Sequence, residues 1–417
     1  MSGQRRALII GGSIGGLFAA QFLRQAGWEV AVFERSAGDL ADRGAGLNTS
    51  AELFEAMRRA GAEVNQTLAF HVSRSAWLRP DDTIGIEIPR GWHGSTWGTI
   101  YRPLRASLPT ALYHAAQALE RVEQDRDGIT AIFADGARRR ADLLVAADGV
   151  YSTVRRQFLP ELAPTPAGYI AWRGIIAEAE LPAAAHDLLL ARAAFSFPDR
   201  ELVVSLPVPG ADNDPRPGHR RYYFIWYRPA SAAEQHALFT DASGRHHGLS
   251  IPPPLIRGEF IAAMKAAARH VLPPVLGEIV NRVAQPLLQT ITDLEAPRMV
   301  FGRAVLLGDS AFVARPHVAA GTTKAALDAA ALAAALDSSD GDIDGGLQRY
   351  ERERVTFGRA IVAHARYLGA YLEAKEGTPV ARDPEQVLRE YGAPHLVRDV
   401  DFNETSMLSS PTSHAGQ

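Results

Sequence analysis

The chain contains no cysteine. That excludes disulfide scaffolds, iron–sulfur clusters, thiolate zinc sites and any thiol nucleophile. Net charge is equally scarce: 44 Lys and Arg against 47 Asp and Glu leave −3 over 417 residues. Nothing in that balance calls for nucleic acid or an anionic membrane as a partner. No apolar run approaches the roughly 18 residues that a bilayer span requires. The opening segment, MSGQRRALII, offers only a strand's worth of apolar residues before a glycine cluster, so no signal peptide is expected. No HExxH-like spacing suggests a metal, and no G-x-S-x-G elbow suggests nucleophilic serine chemistry. The remaining expectation is a cytoplasmic globular protein. At 47% hydrophobic residues the chain is long enough for two domains, or for one domain with a large insertion.

Residues 7–10 form a short apolar run that stops at Gly11; residues 17–26 carry helical periodicity, and residues 30–33 read as a second strand. This is a βαβ unit. Residues 53–61 look like a helix closed by glycine. The middle differs. Residues 167–228 are rich in β-branched and aromatic side chains, and two such runs, 202–206 and 222–227, flank a loop of turn residues. An antiparallel hairpin is expected there. A buried strand resumes near 305–307, followed by an Ala-rich helix over 322–336 and a second long helix from 348 to about 374. The last dozen residues lack an apolar period and are expected to fray. The fold class is therefore α/β with an α+β insertion. A Rossmann-like domain is interrupted by a mostly antiparallel sheet domain, and a C-terminal helix follows.

Three segments carry chemistry. In GGSIGG, Gly11 to Gly16, Gly11 allows the tight turn and Gly16 lets the helix pack against the strand. Ser13 replaces the middle glycine of the dinucleotide fingerprint, and its hydroxyl could donate to a pyrophosphate. Glu34, at the end of the second strand, is placed to accept from a ribose 2′-hydroxyl, which favours an adenosine without a 2′-phosphate. In ADLLVAADGVYSTVR a buried strand ends at Asp148–Gly149, with Ser152 as a helix cap. In VLLGDSAFVARPHVAAGTTKAALDAA a strand delivers Gly308 and Asp309, and a loop runs into the N-terminus of the Ala-rich helix near Gly321 to Thr323. An Asp at a strand's carboxyl end can accept from a polyol, and the helix N-terminus favours negative charge.

In this order and spacing the three segments resemble the FAD-dependent aromatic hydroxylases, the single-component flavoprotein monooxygenases. The likeness reaches to about Ala374. It implies FAD contacts at Gly11, Ser13, Ile14 and Gly16, with Glu34 and Arg35 at the adenosine end. It further implies contacts at Asp148, at Gly308 with Asp309 on the ribityl chain, and at Pro316, Ala320, Gly321 and Thr322 beside the flavin ring. Arg43, Gly44 and Gly46 resemble the segment that passes near the flavin. Phe312 stands where many members have His, Thr323 where many have Asn, and Tyr101 in place of a flavin-contacting Arg. Ser13, Tyr101 and the stretches AGYIAWRG and AFVARPHVAAG are most similar to members acting on dihydroxypyridines. The implied division assigns 1–75, 101–165 and 291–340 to FAD binding. Residues 166–290, with an excursion at 76–100, go to the substrate sheet, and 341–417 to a C-terminal helix and tail.

The resemblance implies that NADH or NADPH binds transiently, without a Rossmann domain of its own, and reduces FAD. Oxygen then adds to give a C4a-hydroperoxide, whose distal oxygen attacks an electron-rich hydroxylated heteroaromatic ring, such as a dihydroxypyridine. Another phenolic or hydroxypyridine-carboxylate ring is an alternative substrate, and a homodimer is the implied assembly. Such chemistry favours an ionised substrate hydroxyl, hence a base or relay near the ring. Among the histidines His317, beside Arg315 and Pro316 in the flavin-facing loop, is the first candidate, with loop orientation as its other reading. Tyr223 is the second candidate on the sheet, and Trp172 and Arg173 stand either at the pocket edge or in packing. His246 and His247 read as solvent-exposed. A flavin halogenase lacks support: there is no WxWxIP segment, and Lys is scarce before residue 265. A non-catalytic flavin-binding module would show damaged flavin contacts, yet Glu34, Asp309 and the glycines are all present.

Overall fold

The computed structural model describes residues 4–41, 46–339, 341–373 and 383–392. A six-stranded sheet has Arg6–Ile10 at its centre, parallel to Glu29–Phe33 on one side and to Leu143–Ala146 on the other. Ala304–Leu306 continues it in parallel beyond Leu143–Ala146, and Tyr113–His114 extends it beyond Glu29–Phe33. Its central strands read as unbroken apolar runs because both faces are covered, one by helices and the other by the antiparallel sheet of Leu119–Gln124, Ile129–Phe133 and Arg138–Ala141. One covering pair is Ile14–Gln25 and Gly321–Asp337; the long helix Ile343–Gly369 packs behind the latter.

The second large sheet is mostly antiparallel. Its order is Ser250–Ile251, Leu287–Glu295, Thr165–Ala177, Arg221–Pro229, Leu202–Val208, Arg192–Ser196, Arg74–Leu78 and Ile84–Ile88. The expected hairpin is present, with Leu202 opposite Tyr227 and Val208 opposite Arg221. Period-2 alternation sorts its side chains. Trp172, Tyr222, Phe224 and Trp226 enter the core behind the sheet with the helices Gly258–Val271 and Pro274–Arg282. Tyr223, Ile225 and Tyr227 point to the opposite face. A three-stranded sheet of Gly46–Thr49, Trp92–Thr96 and Phe70–Val72 lies alongside.

Several local expectations hold. Ala51–Arg59 is helical, and the Ser152 hydroxyl accepts from the Arg155 N–H. Apart from those expectations, Arg138 and Arg140 lie on an exposed hairpin strand, paired with Glu123 and Asp125. His246 is exposed, but His247 is not: its Nε2 lies 2.7 Å from Asp241 and the ring is largely buried. The C-terminal dozen residues lie outside the described residues.

Candidate active site

Two cavities share Ser13, Trp97, Ala147 and Gly149, and so join at the carboxyl ends of the parallel strands. That edge is where doubly wound sheets bind ligands. The smaller, about 370 Å³, is lined by Gly11, Ser13, Glu34, Arg35, Asp148 and Trp97, among others. Gly11 takes φ +103°, and a Cβ there would overlap the Ala147 carbonyl, so only glycine brings the two strand ends this close. Gly16 presses its α-carbon against the Gly11 carbonyl in the same turn. Ser13 precedes the Ile14–Gln25 helix, yet its hydroxyl makes no capping bond and faces both cavities.

Glu34 closes this end. Its two oxygens accept from the Gly12 and Ser36 N–H groups at 2.8 and 2.9 Å, which fixes the carboxylate at the cavity wall. Asp148 accepts from the Thr153 N–H at 2.7 Å through Oδ2, while its buried Oδ1 has no hydrogen-bond partner among the described residues. Burial pushes its carboxyl above the usual range, opposed by bonds from Ser152 and Thr153. An orphaned carboxylate oxygen at such a wall calls for a donor from a ligand.

The larger cavity, about 500 Å³, runs from Ile14, Gly308 and Asp309 past Pro316, Ala320, Gly321 and Thr322 to the inner face of the large sheet. The loop ahead of the Gly321–Asp337 helix turns through Ala319, which adopts a left-handed φ of +50°, and leaves the first N–H groups of that helix facing the cavity. Asp309 keeps about half of its side-chain surface accessible there. Although half-accessible, its carboxyl lies deep enough in the fold for desolvation to raise its pKa, with Lys324 opposing that rise and Asp328 adding to it.

At the far end Arg173 and Tyr223 come from adjacent strands of the large sheet. The Arg173 Nε donates to the Tyr223 hydroxyl at 2.9 Å, and its other nitrogens reach the Gly46 carbonyl at 3.0 Å and Gln289 Oε1 at 3.4 Å. No carboxylate pairs with Arg173 among the described residues. By contrast Arg315, the other arginine on the wall, is bound by Asp293 at 2.7 Å and by Glu373. Tyr223 packs directly on Gly46, where any Cβ would strike its ring. Burial raises the Tyr223 phenol above its ordinary pKa, with Arg173 opposing.

Two expectations need correction. His317 does not line the cavity: it is fully buried, with Nε2 2.8 Å from the Tyr169 hydroxyl and its ring packed between Tyr227 and Tyr391, one layer behind the wall. Tyr101 lines neither cavity. It stacks beneath Trp97 at 4.6 Å, with its hydroxyl 3.5 Å from that of Tyr113, because its helical position points it into the core. Trp97 takes the exposed place at the junction. Trp172 points away from the cavity while Arg173 enters it, as strand alternation requires. Arg43 and Gly44 lie outside the described residues.

Sequence reasoning missed Trp97, Asn48, Gln289 and Tyr391, which also line the larger cavity. Asn48 and Gln289 sit on strands whose partners no local pattern reveals. Tyr391 follows the short helix Pro384–Glu390, which is held over the site by Arg90: its guanidinium donates to the carbonyls of Leu388 and Tyr391 and lies over the Trp92 ring.

The joined cavities fit FAD. A hydrogen-bonded acid at one end, an orphaned Asp148 oxygen and two helix N-termini in the middle, and Asp309 before an apolar and aromatic chamber match a dinucleotide carrying a polyol and a flat ring. Comparison with known proteins agrees. A family described as FAD binding domain-like matches residues 166–293, the stretch that builds most of the large sheet. The 2,6-dihydroxypyridine 3-monooxygenase of Paenarthrobacter nicotinovorans is 29% identical over 372 residues, covering 88% of this chain and 91% of that protein. The 6-hydroxynicotinate 3-monooxygenase of Bordetella bronchiseptica is 27% identical, covering 80% of this chain and 82% of that protein. The solved structure of 2,6-dihydroxypyridine-3-hydroxylase from Arthrobacter nicotinovorans superposes with a TM-score of 0.83 at 27% identity, over 91% of this chain and 98% of that one. By motif order, fold and relatives, the chain is similar to the FAD-dependent aromatic hydroxylases, the single-component flavoprotein monooxygenases.

Proposed function

We propose that this chain uses FAD, NAD(P)H and O2 to hydroxylate an electron-rich hydroxylated heteroaromatic ring of the dihydroxypyridine type, held as its anion. The observation that carries the reading is Arg173: a cation inside the larger cavity with no carboxylate partner among the described residues, bonded to the hydroxyl of Tyr223. A half-buried cation without a carboxylate partner favours an anionic ligand. The Tyr223 oxygen accepts from Arg173, so its own O–H is left to donate to a ring oxygen. Together the two residues lower the pKa of a bound ring hydroxyl and make the ring more nucleophilic. Neither His nor Glu is on the larger cavity's described wall, and its one Asp, Asp309, lies at the opposite end, so ionisation falls to this field and not to a wall base.

Under this reading Gly11, Ser13 and Asp148 flank the pyrophosphate, Glu34 and Arg35 the adenosine, and Asp309 the ribityl chain. The helix N-terminus at Gly321 and Thr322 would face the flavin ring. FAD supplies, when bound, the transfer of two electrons from NAD(P)H and the activation of O2, of which one oxygen atom enters the ring and the other leaves as water. Trp92, Tyr227 and Tyr391 exclude water from that chamber. Residues 1–75, 101–165 and 291–340 would form the FAD-binding part and 166–290, with 76–100, the substrate part; a cytoplasmic homodimer is the proposed assembly, which sedimentation of the full chain tests. Among the described residues no helix is long and apolar enough to cross a membrane.

Anaerobic reduction of the bound flavin by NADH and by NADPH, with and without 2,6-dihydroxypyridine, is the test. Acceleration by the ring, followed by a ring product carrying one added oxygen when O2 is admitted, supports the reading. A stronger effect from a hydroxypyridine carboxylate would move the anion that Arg173 binds from a ring oxygen to a carboxylate. Bound flavin that no hydroxylated ring affects would refute it.

A further inference from the structure

Only three lysines occur in the chain, at 265, 324 and 375, against 41 arginines. Lys324 is the unusual one. It sits in the first turn of the Gly321–Asp337 helix, where its backbone N–H donates to the Ala320 carbonyl, and its side chain is 1% exposed. Burial and a helix N-terminus both disfavour a cation. Its Nζ has no hydrogen-bond partner among the described residues but stands 3.7 Å from Asp328 Oδ2 and 3.9 Å from Asp309 Oδ1.

These groups form a line of alternating charge that runs inward from the cavity. Asp309 is its outer end. Lys324 comes next, then Asp328, which accepts from Arg354 Nε at 2.8 Å and from the Gly308 N–H at 3.1 Å. Arg354 is 1% exposed and also meets the surface residue Glu353, and Tyr350 on the same helix donates to the Leu306 carbonyl. Asp328 is thus committed to Arg354 and to the turn that presents Asp309. Among the described residues the ammonium is the cation left for Asp309, and its compact charge fits between two carboxylates where a planar guanidinium would demand hydrogen-bond geometry at both.

We propose that Lys324 is a positioning residue for the cofactor: it keeps Asp309 ionised and aimed into the cavity, and so sets the affinity and the pH range over which the polyol chain of a flavin is held. The inference rests on the flavin reading above. Without Lys324, two carboxylates share one remaining cation. Arg354 and the Gly308 N–H hold Asp328, so Asp309 is the group that takes up a proton. An opposite charge at this distance shifts a carboxyl by about 1 to 3 pH units.

The experiment measures the FAD dissociation constant of the full chain by flavin fluorescence from pH 5.5 to 9, with circular dichroism to verify folding. A raised Asp309 pKa means that the ionised, tight-binding form is lost as pH falls and regained as pH rises. In Lys324→Met the midpoint of that loss moves up by about 1 to 3 units, weakening FAD on the order of tenfold near neutrality and converging on wild type at pH 9. Asp309→Asn binds weakly at every pH, which assigns the slope to Asp309. Lys324→Arg, which keeps the charge, serves if the Met variant does not fold: its midpoint stays nearer to wild type than that of Lys324→Gln. An equal loss for Lys324→Met at all pH values, or an unmoved midpoint, overturns the proposal while leaving flavin binding intact. A wild-type chain that takes up no FAD sinks the flavin reading and this proposal together.

Discussion

Under the proposed function, single side chains at the cavity divide cofactor retention from substrate recognition. Asp309 faces the cavity beside the first turn of the Gly321–Asp337 helix, so Asp309→Ala is expected to purify largely without yellow colour; a fully loaded variant would remove it from the flavin site. Arg173 lies at the other end. Arg173→Met should retain flavin yet raise the substrate KM about 10- to 100-fold, the loss of a charge-assisted hydrogen bond of roughly 1.5–3 kcal/mol. An unchanged KM with a ring anion would show that the cation faces something else. The candidates differ in legibility for a physical reason. Glu34, Asp148 and Asp309 each stand at the carboxyl end of a strand with its turn beside it in sequence, so neighbouring residues define their surroundings. His317 had the expected loop but not the expected direction: the 3₁₀ turn Pro316–Val318 rotates its ring away from the cavity and onto Tyr169.

Elements decide which of two adjacent residues reaches the site. On Thr165–Ala177 a shift of one residue would exchange Trp172 for Arg173, burying a cation in an apolar core and emptying the cavity of its charge. The C-terminal turn is the second case. Pro384–Glu390 contributes little burial of its own beyond Val387 and Leu388, and is held by Arg90, by the Gly392 N–H to the His317 carbonyl at 2.8 Å, and by His364 Nε2 at 2.9 Å from the Gly392 carbonyl. It delivers Tyr391 to the cavity, 3.5 Å from the Tyr227 hydroxyl. Arg90→Met should loosen this cover, admit water and lower the ratio of hydroxylated product to NAD(P)H consumed, with reduction of the flavin little changed. A ratio equal to wild type would mean that the turn stays closed without its guanidinium.

Across the whole molecule the two cavities are joined by walls from both large sheets: Ile14, Gly308 and Asp309 follow strands of the parallel sheet, Arg173 and Tyr223 lie on the antiparallel one, and Gly46 on the small sheet touches Tyr223. A ligand seated along them ties these layers together. FAD at 100 times its dissociation constant is therefore expected to add about 2.7 kcal/mol to stability and to raise the melting temperature of the stripped protein, followed by circular dichroism. A melting temperature indifferent to added FAD would mean that the native chain does not bind it.

The amino-acid sequence by itself determined the turns that line the cavity at the ends of the parallel strands, the proposed nucleotide end. Gly11, Ser13, Gly16, Glu34, Asp148 and Asp309 are legible because tight turns at strand ends depend on residues a few positions apart, and only glycine tolerates the φ and the contact at Gly11. Tyr223 was singled out on the sheet from the sequence, and it does line the cavity while Tyr222 enters the core behind. To the tertiary structure belong the charge of Arg173, which meets no carboxylate among the described residues, the withdrawal of His317 and Tyr101, the capture of Tyr391 and the charge line through Lys324. Each depends on which distant segment supplies a counter-charge or a packing surface, and pairing across the sheets sets that, not the neighbours in sequence.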